Sequence, residues 1–153
     1  MIFVLALLIG IIAGLRAMTA PTAVAWVAYF GWIDLSQTSL AFMGYTWTPW
    51  ILTALAIGEL ISDQLPDTPS RKVPIQFGTR IVMGGLAGAA IGAAGGSLVG
   101  GLVAGAVGAV IGTFAGAAAR GRLAAAFERD LPAALIEDVV AVGGALLIVA
   151  AVP

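Results

Sequence analysis

The stretch GGLAGAAIGAAGGSLVGGLVAGAVGAVIGTFAG, residues 84–116, decides the fold class, because it is almost wholly glycine, alanine and small aliphatic residues. With its flanks it forms an apolar segment from Gly78 to Ala119, which would be about 60 Å long as one straight helix. About 20 apolar residues cross the roughly 30 Å hydrocarbon layer of a bilayer, so the segment predicts two membrane spans joined as a hairpin. We expect the turn at Gly95-Gly96-Ser97.

Small residues recur at every fourth position through both predicted spans. In lipid, helices associate by close backbone contact, which small residues permit. The pattern predicts a glycine-zipper helical hairpin over residues 78–119, packed within one protomer or between protomers. A stripe that lines a pore or a ligand is the alternative interpretation. The candidate packing residues are Gly84, Gly88, Gly92, Gly96, Gly100, Gly108, Gly112 and Gly116.

The composition of the whole chain fits a membrane environment. Of the 153 residues, 61% are hydrophobic and 10% are charged, whereas a soluble domain is about 25% charged. We therefore expect a single all-α, polytopic transmembrane domain over residues 1–153. The formal net charge of -1 offers no basic face for nucleic acid. The chain contains no Cys and no His, so no metal, haem or other cofactor is expected.

The first apolar segment, residues 2–33, is too long for one straight span, at about 48 Å. The sequence Thr19-Ala20-Pro21 interrupts it, because proline removes a helical donor and disfavours helical conformation in the residue before it. We expect one helix near 2–18 and a shorter one near 21–33. The break is either an ion or solute site, as in transporters with broken helices, or a plain kink satisfied by a threonine hydroxyl, Thr19 or Thr22.

The two pieces have two arrangements. As one kinked span they leave the amino terminus inside and Arg16 at membrane depth. As a hairpin they place the amino terminus outside and Arg16 on the cytoplasmic side. With apolar segments 48–62 and 131–152, the chain has five main hydrophobic spans, or six if the first segment is a hairpin.

The distribution of cationic residues orients the chain. Loops 65–78 and 120–130, with Arg80 at the helix start, hold six of the seven Lys and Arg residues and lie two crossings apart. The positive-inside rule places both loops on the cytoplasmic side of a bacterial inner membrane. Within the first loop, Asp67, Arg71 and Lys72 are interpreted as a solvated segment and a topology signal.

Charges inside or beside the apolar segments are the candidate functional residues, because a charge in hydrocarbon costs several kcal/mol unless it is paired, hydrated or neutralised. We expect four acids to meet two arginines at the cytoplasmic helix ends, as a static salt-bridge lock or as a transport or proton-relay site. The candidate charge-cluster residues are Arg16, Glu59, Asp63, Arg80, Glu137 and Asp138, and the helix-break candidates are Thr19 and Pro21.

The leading functional hypothesis is a small-solute or ion permease, motivated by the intramembrane acids, the broken first helix and the glycine-rich spans. We expect it to form a homo-oligomer in the lipid bilayer, because so few short helices enclose little space. The alternative is a non-transporting membrane scaffold or a lipid-binding subunit. No nucleophile–base pair or metal motif is present, which argues against an enzyme.

Three motifs resemble a known bacterial membrane family, the one called domain of unknown function 4126. They are GLRAMTAPTAVAW at 14–26, ELISDQLPDTPSRKVPIQFGTRIVMGGLAGAAIG at 59–92 and DLPAALIEDVVAVGGALLIV at 130–149. The acid-rich proline loop followed by Arg80 and the glycine run is the most distinctive part. The resemblance covers most of the chain and implies a membrane protein. It implies no activity and no catalytic residues.

Overall fold

The computed structural model describes all 153 residues as six α-helices and one short 3-10 helix, Ala41–Gly44, with no strand. This confirms the all-α prediction. The helices are α1 (Ile2–Leu15), α2 (Thr19–Tyr29), α3 (Thr48–Ser62), α4 (Pro74–Ala94), α5 (Leu98–Phe127) and α6 (Asp130–Ala150). Three of them, α4, α5 and α6, are long and apolar enough to cross a membrane, whereas α1 and α3 are apolar but shorter.

The first two helices form a hairpin, which is one of the two arrangements that the sequence left open. Helix α6 provides the reference, because both helices contact it and its direction is fixed. The junction between α1 and α2 lies beside the first part of α6, where Arg16 pairs with Asp138. Further along α6, Ile12 of α1 lies against Gly144, and Trp26 near the end of α2 lines a cavity with Leu146. Both helices therefore extend from the junction in the same direction along α6.

The bundle therefore has two distinct ends. The charged end contains the 63–73 loop, the α1–α2 junction and the α5–α6 junction. The opposite end contains both chain termini, the α4–α5 turn and residues 30–47. Helix α5 is longer than predicted, because the sequence RGRLAAAF at 120–127 continues it as helix instead of forming a separate link. Only Glu128 and Arg129 separate α5 from α6.

The break in the first apolar segment lies upstream of the proline, at Arg16–Met18. Arg16 has extended backbone angles, φ −139° and ψ 109°. Pro21 is the third residue of α2, where its missing N–H is not needed. In a continuous helix the ring of Pro21 would clash with the carbonyl oxygen of Ala17, four residues earlier. Helix α1 therefore ends before Ala17. The predicted boundary at Met18 is wrong for this reason, and α1 ends at Leu15.

Glycines allow α4 and α5 to contact each other through their backbones. A Cβ atom on Gly92 would lie 2.6 Å from the Cα of Gly101, and one on Gly105 would lie 2.9 Å from the Cα of Gly88. No larger side chain fits at these separations unless the helices move apart. Gly96 forms the predicted turn with φ +78°, a left-handed conformation that glycine adopts without strain.

The same face of α5 continues against α1. A Cβ atom on Gly14 would lie 2.5 Å from the backbone nitrogen of Thr113, and one on Gly112 would lie 2.9 Å from the Cα of Ile11. The contacting glycines of α5 are separated by four, three and four residues, which keeps them on one face. A strict four-residue repeat would drift around the helix by about 40° per step. These glycines are Gly101, Gly105, Gly108 and Gly112.

The predicted stripe is therefore wrong in part. Gly96 lies in the turn, and a Cβ atom on it would meet nothing within 4 Å. Gly100 faces the ring of Phe3 instead of a helix backbone, and Gly116 faces the side chain of Leu15. The sequence pattern also omitted two glycines that do lie in backbone contacts on α5, Gly101 and Gly105.

Candidate functional site: a charge cluster at the helix break

The six predicted charged residues come together at the charged end of the bundle, and two further arginines join them. Four arginines thus face four acids, so the formal charges balance. Three of the arginines and one of the acids are buried. The members are Arg16, Arg71, Arg80, Arg120, Glu59, Asp63, Glu137 and Asp138.

Arg16 is the centre of the cluster and is completely buried. The α1–α2 break holds its backbone extended, which directs the side chain between α3 and α6. Its Nε donates to Asp138 Oδ1 at 2.6 Å, and its terminal nitrogens form ion pairs with Asp63 and Asp138. Glu137 Oε2 lies 3.9 Å away. One guanidinium therefore joins α3 and α6 to the end of α1.

Glu59 and Arg80 bind the backbone groups that the helix break leaves free. The two carboxylate oxygens of Glu59 each accept one hydrogen bond, from the N–H of Ala17 and of Met18, both at 2.8 Å. Arg80 donates to the carbonyl oxygens at the end of α1, those of Gly14 at 2.8 Å and of Leu15 at 2.6 Å.

This arrangement also matches the helix dipoles, with an acid at the start of α2 and a cation at the end of α1. Arg80 and Glu59 lie 3.8 Å apart, so the two capping groups attract each other.

The interpretation of a plain kink held by threonine is wrong for the free N–H groups. Thr22 does donate to the carbonyl of Met18 at 2.6 Å, but the N–H groups are bound by a carboxylate.

Arg71 is the clearest residue that the sequence interpretation missed. The solvated-loop prediction is wrong for it, because the loop folds back over the charged end and leaves Arg71 only 9% exposed. Its two terminal nitrogens bind the two oxygens of Glu137 at 2.5 and 2.8 Å, a bidentate pair. Asp67 and Lys72 are exposed, as predicted for that loop.

Arg120 was also missed, because it lies in the segment that was predicted to be a link. It is part of helix α5 and connects three elements. It donates to Asp63 Oδ2 at 3.1 Å, contacts Glu137 Oε2 at 3.4 Å, and pairs with Asp130 at the start of α6 at 2.5 Å. Through Arg120 the eight-residue cluster thus also contacts Asp130, a fifth acid that is exposed outside it.

Two cavities border the cluster. A cavity of about 570 Å³ lies under the 63–73 loop and reaches Asp63, Arg71 and Arg120. A second, of about 260 Å³, is lined by Glu59 and by hydroxyl and amide side chains of α3, α4 and the loop. Both cavities reach Asp63.

No group of three or more acids has the geometry of a metal site. The arrangement can exchange hydrogen-bond partners with water at Glu59 and Asp63, while Arg16 stays buried.

Comparison of this chain with known protein families, with curated proteins and with solved structures found no match. The resemblance to the domain of unknown function 4126 therefore depends on the sequence motifs alone.

Proposed function

We propose that this chain is a multi-pass protein of the bacterial inner membrane that moves a small solute or ion, with the charge cluster as its cytoplasmic gate. In this proposal all six helices cross the bilayer, and the short α1–α2 hairpin accounts for two crossings. The loops at the charged end carry most of the cationic residues and face the cytoplasm by the positive-inside rule. The close glycine contacts of α4 and α5 act as a glycine zipper, and the working unit is a homo-oligomer.

The observation that carries the proposal is the capped helix break. Broken helices at membrane depth leave polar backbone groups that can bind a solute, provided that they are buried in protein or line a cavity. Here those groups are held by two charged side chains instead of neutral hydroxyls, and Glu59 borders a polar cavity. The Glu59 carboxylate accepts hydrogen bonds from two N–H groups, and another hydrogen-bond acceptor could take its place there.

The same contacts suggest how the gate moves. Helix α3 packs mainly on α2 and on the 3-10 helix. Its charged end is attached through Glu59 to the helix break and through Asp63 to Arg16 and Arg120. Release of these two acids would free the end of α3. The two cavities that share Asp63 in their linings would then join. We therefore assign opening to α3 and leave the glycine-packed helices fixed.

Flux measurements in proteoliposomes test the proposal. The purified protein is reconstituted around a pH-sensitive dye, and proton, cation and anion gradients are applied in turn. We expect a flux that changes strongly in Glu59→Gln, Glu137→Gln and Asp138→Asn. Asp34→Asn and Asp67→Asn, which change exposed loop acids, are the matched controls and should leave the flux unaltered. No flux for any tested ion, with no effect of the cluster variants, would contradict transport.

The alternative proposal is a non-transporting scaffold or lipid-binding subunit. It is favoured by the backbone contacts among α1, α4 and α5, which leave no lumen between those helices. It is also favoured by the balanced pairing of the cluster, which suits a static lock. A protein that oligomerises in native mass spectrometry, carries no flux and loses stability in the cluster variants would support this alternative.

A further inference from the structure

A separate cavity of about 240 Å³ lies between α2, α3 and α6, on the other side of α3 from the polar cavity at Glu59. Its lining is almost wholly apolar. Ala56 and Leu60 form the α3 wall, Val142 and Leu146 form the α6 wall, and Trp26 of α2 closes one end. Helix α3 makes no extended contact with α6, so the cavity opens sideways between them.

The cavity offers little to water. The indole of Trp26 donates to Thr53 Oγ1 at 3.0 Å, Thr53 donates to the carbonyl of Pro49 at 2.6 Å, and Thr22 donates to the carbonyl of Met18. These three donors are therefore directed at the protein, and Thr19 is the one other polar side chain in the lining. A buried water molecule needs two to four polar partners, and an apolar cavity without them stays dry unless an apolar molecule fills it.

The side chains at the mouth of the cavity are apolar and exposed. Ile57 on α3 is 52% exposed and Leu146 on α6 is 58% exposed, although both are apolar. In a membrane-embedded bundle these side chains face hydrocarbon. At the end of the cavity toward the opposite end of the bundle, Trp26 stacks against Phe30 and lies edge-on to Trp50. Such aromatic groups gather at the lipid headgroup layer.

We propose that this cavity binds one acyl chain of a phospholipid from the leaflet at the opposite end of the bundle. The headgroup lies beside the Trp26–Phe30–Trp50 cluster, and the chain extends between α3 and α6 toward Leu60. The chain fills the gap that α3 and α6 leave and supports α3 on its unpacked side. This inference does not depend on transport, because a scaffold with the same helices would bind the same chain.

Quenching of Trp26 fluorescence by brominated lipid tests the inference. In a protein with Trp32→Phe, Trp47→Phe and Trp50→Phe, the only indole is Trp26, and phenylalanine at position 50 keeps an aromatic ring beside it. It is reconstituted in vesicles of phosphatidylcholine brominated near mid-chain and in unbrominated vesicles. We expect brominated lipid to quench Trp26, and Ala56→Leu, which fills the cavity, to remove most of that quenching. Ala54→Leu places the same side chain on the exposed face of α3 and should leave quenching unchanged.

Three results would overturn the inference. Equal quenching in the Ala56→Leu protein would show that only lipid around the outside of the bundle reaches Trp26. Strong quenching by aqueous acrylamide would show a water-filled cavity. Quenching that appears only when the protein is diluted in excess lipid would show that a second copy occupies the cavity.

Val142→Phe narrows the mouth of the cavity from α6 and replaces Ala56→Leu if that protein does not fold. A protein with Trp50 alone, 57% exposed, reports insertion itself.

Discussion

The helices α1, α4 and α5 contact each other through their backbones, whereas α3 packs on α2, is joined to the rest of the bundle by charged side chains and borders two cavities. In the first region, glycine positions fix the separation of the helices, and a methyl group is already too large at many of them. In the second region, α3 packs on α2 and is attached at its charged end by two carboxylates. The comparison indicates a rigid core, which includes the buried helix α2, and a separable helix α3.

The largest expected effect comes from breaking the rigid region. Gly105→Leu places a branched side chain where even a Cβ atom would lie 2.9 Å from the Cα of Gly88. Overpacking normally costs about 1–3 kcal/mol of stability. The atoms that oppose this side chain belong to the backbones of Gly84 and Gly88, which cannot rotate away. We therefore expect a cost above that range and no folded protein. Size-exclusion chromatography and circular dichroism in detergent measure the outcome.

The matched control is Gly143→Leu in α6, where a Cβ atom would meet nothing within 4 Å. This protein should be recovered folded. Recovery of both variants in equal yield would show that α4 and α5 are not held at the observed separation, and the contrast between the two regions would fail.

The second effect tests the cluster that attaches the two regions. Arg16→Met leaves Asp138 without its buried partner, and removal of one member of a buried pair costs about 3–5 kcal/mol. Removal of both members, in Arg16→Met with Asp138→Leu, should recover part of that loss. Thermal unfolding in detergent measures both proteins.

Arg122 provides the control for this prediction, because it is exposed and makes no salt bridge. Arg122→Met should change stability by less than about 0.5 kcal/mol. If Arg16→Met were equally mild, Arg16 would not be the residue that joins α3 and α6 to α1.

Hydropathy and charge predicted the parts of the fold that depend on short stretches of sequence. The bounds of α3 are those expected, 48–62, because polar residues and proline flank an apolar run on both sides. The meeting of Asp63, Glu137 and Asp138 with Arg16, and of Glu59 with Arg80, followed from the cost of unpaired charge in lipid. The position of the α1–α2 break was wrong by a few residues, because proline acts on the turn before it rather than at its own position.

The missed arginines show where reasoning along the chain fails. Arg71 follows two prolines in a polar loop, and nothing local distinguishes it from a solvated residue. The balance of charge was an available signal. Four acids were predicted to meet only two arginines, so two more cations were needed at that end, and the adjacent loops contain Arg71 and Arg120. Which loop cations fold inward depends on tertiary packing, which no local pattern encodes.

The third prediction sharpens the role of Glu59. Glu59→Gln keeps one acceptor oxygen and turns the other into an amide that faces the N–H of Ala17 or Met18. Hydrogen bonds to charged groups contribute about 1.5–3 kcal/mol, so we expect a loss of about 2 kcal/mol, less than for Arg16→Met. Hydrogen exchange should quicken at the amides of Ala17 and Met18 while those of α4 stay protected.

Asp67→Asn is the control for that measurement, since Asp67 is an exposed acid of the adjacent loop. It should leave the exchange at the helix break unchanged. Faster exchange throughout α4 and α5 in Glu59→Gln would contradict a separable α3, because the loosened cap would then unfold the glycine core as well.

The smallest effect compares the same substitution in both regions. Gly58 lies on α3, where a Cβ atom would meet nothing within 4 Å, whereas a Cβ atom on Gly88 would lie 2.7 Å from the Cα of Gly105. Alanine favours helix over glycine by about 0.8–1.0 kcal/mol. Gly58→Ala should therefore raise the free energy of unfolding by up to that amount, and Gly88→Ala should lower it. Opposite signs in paired thermal unfolding curves support the division of the bundle. A stabilising Gly88→Ala would mean that α4 and α5 separate at little cost, which would remove the reason for assigning movement to α3 alone.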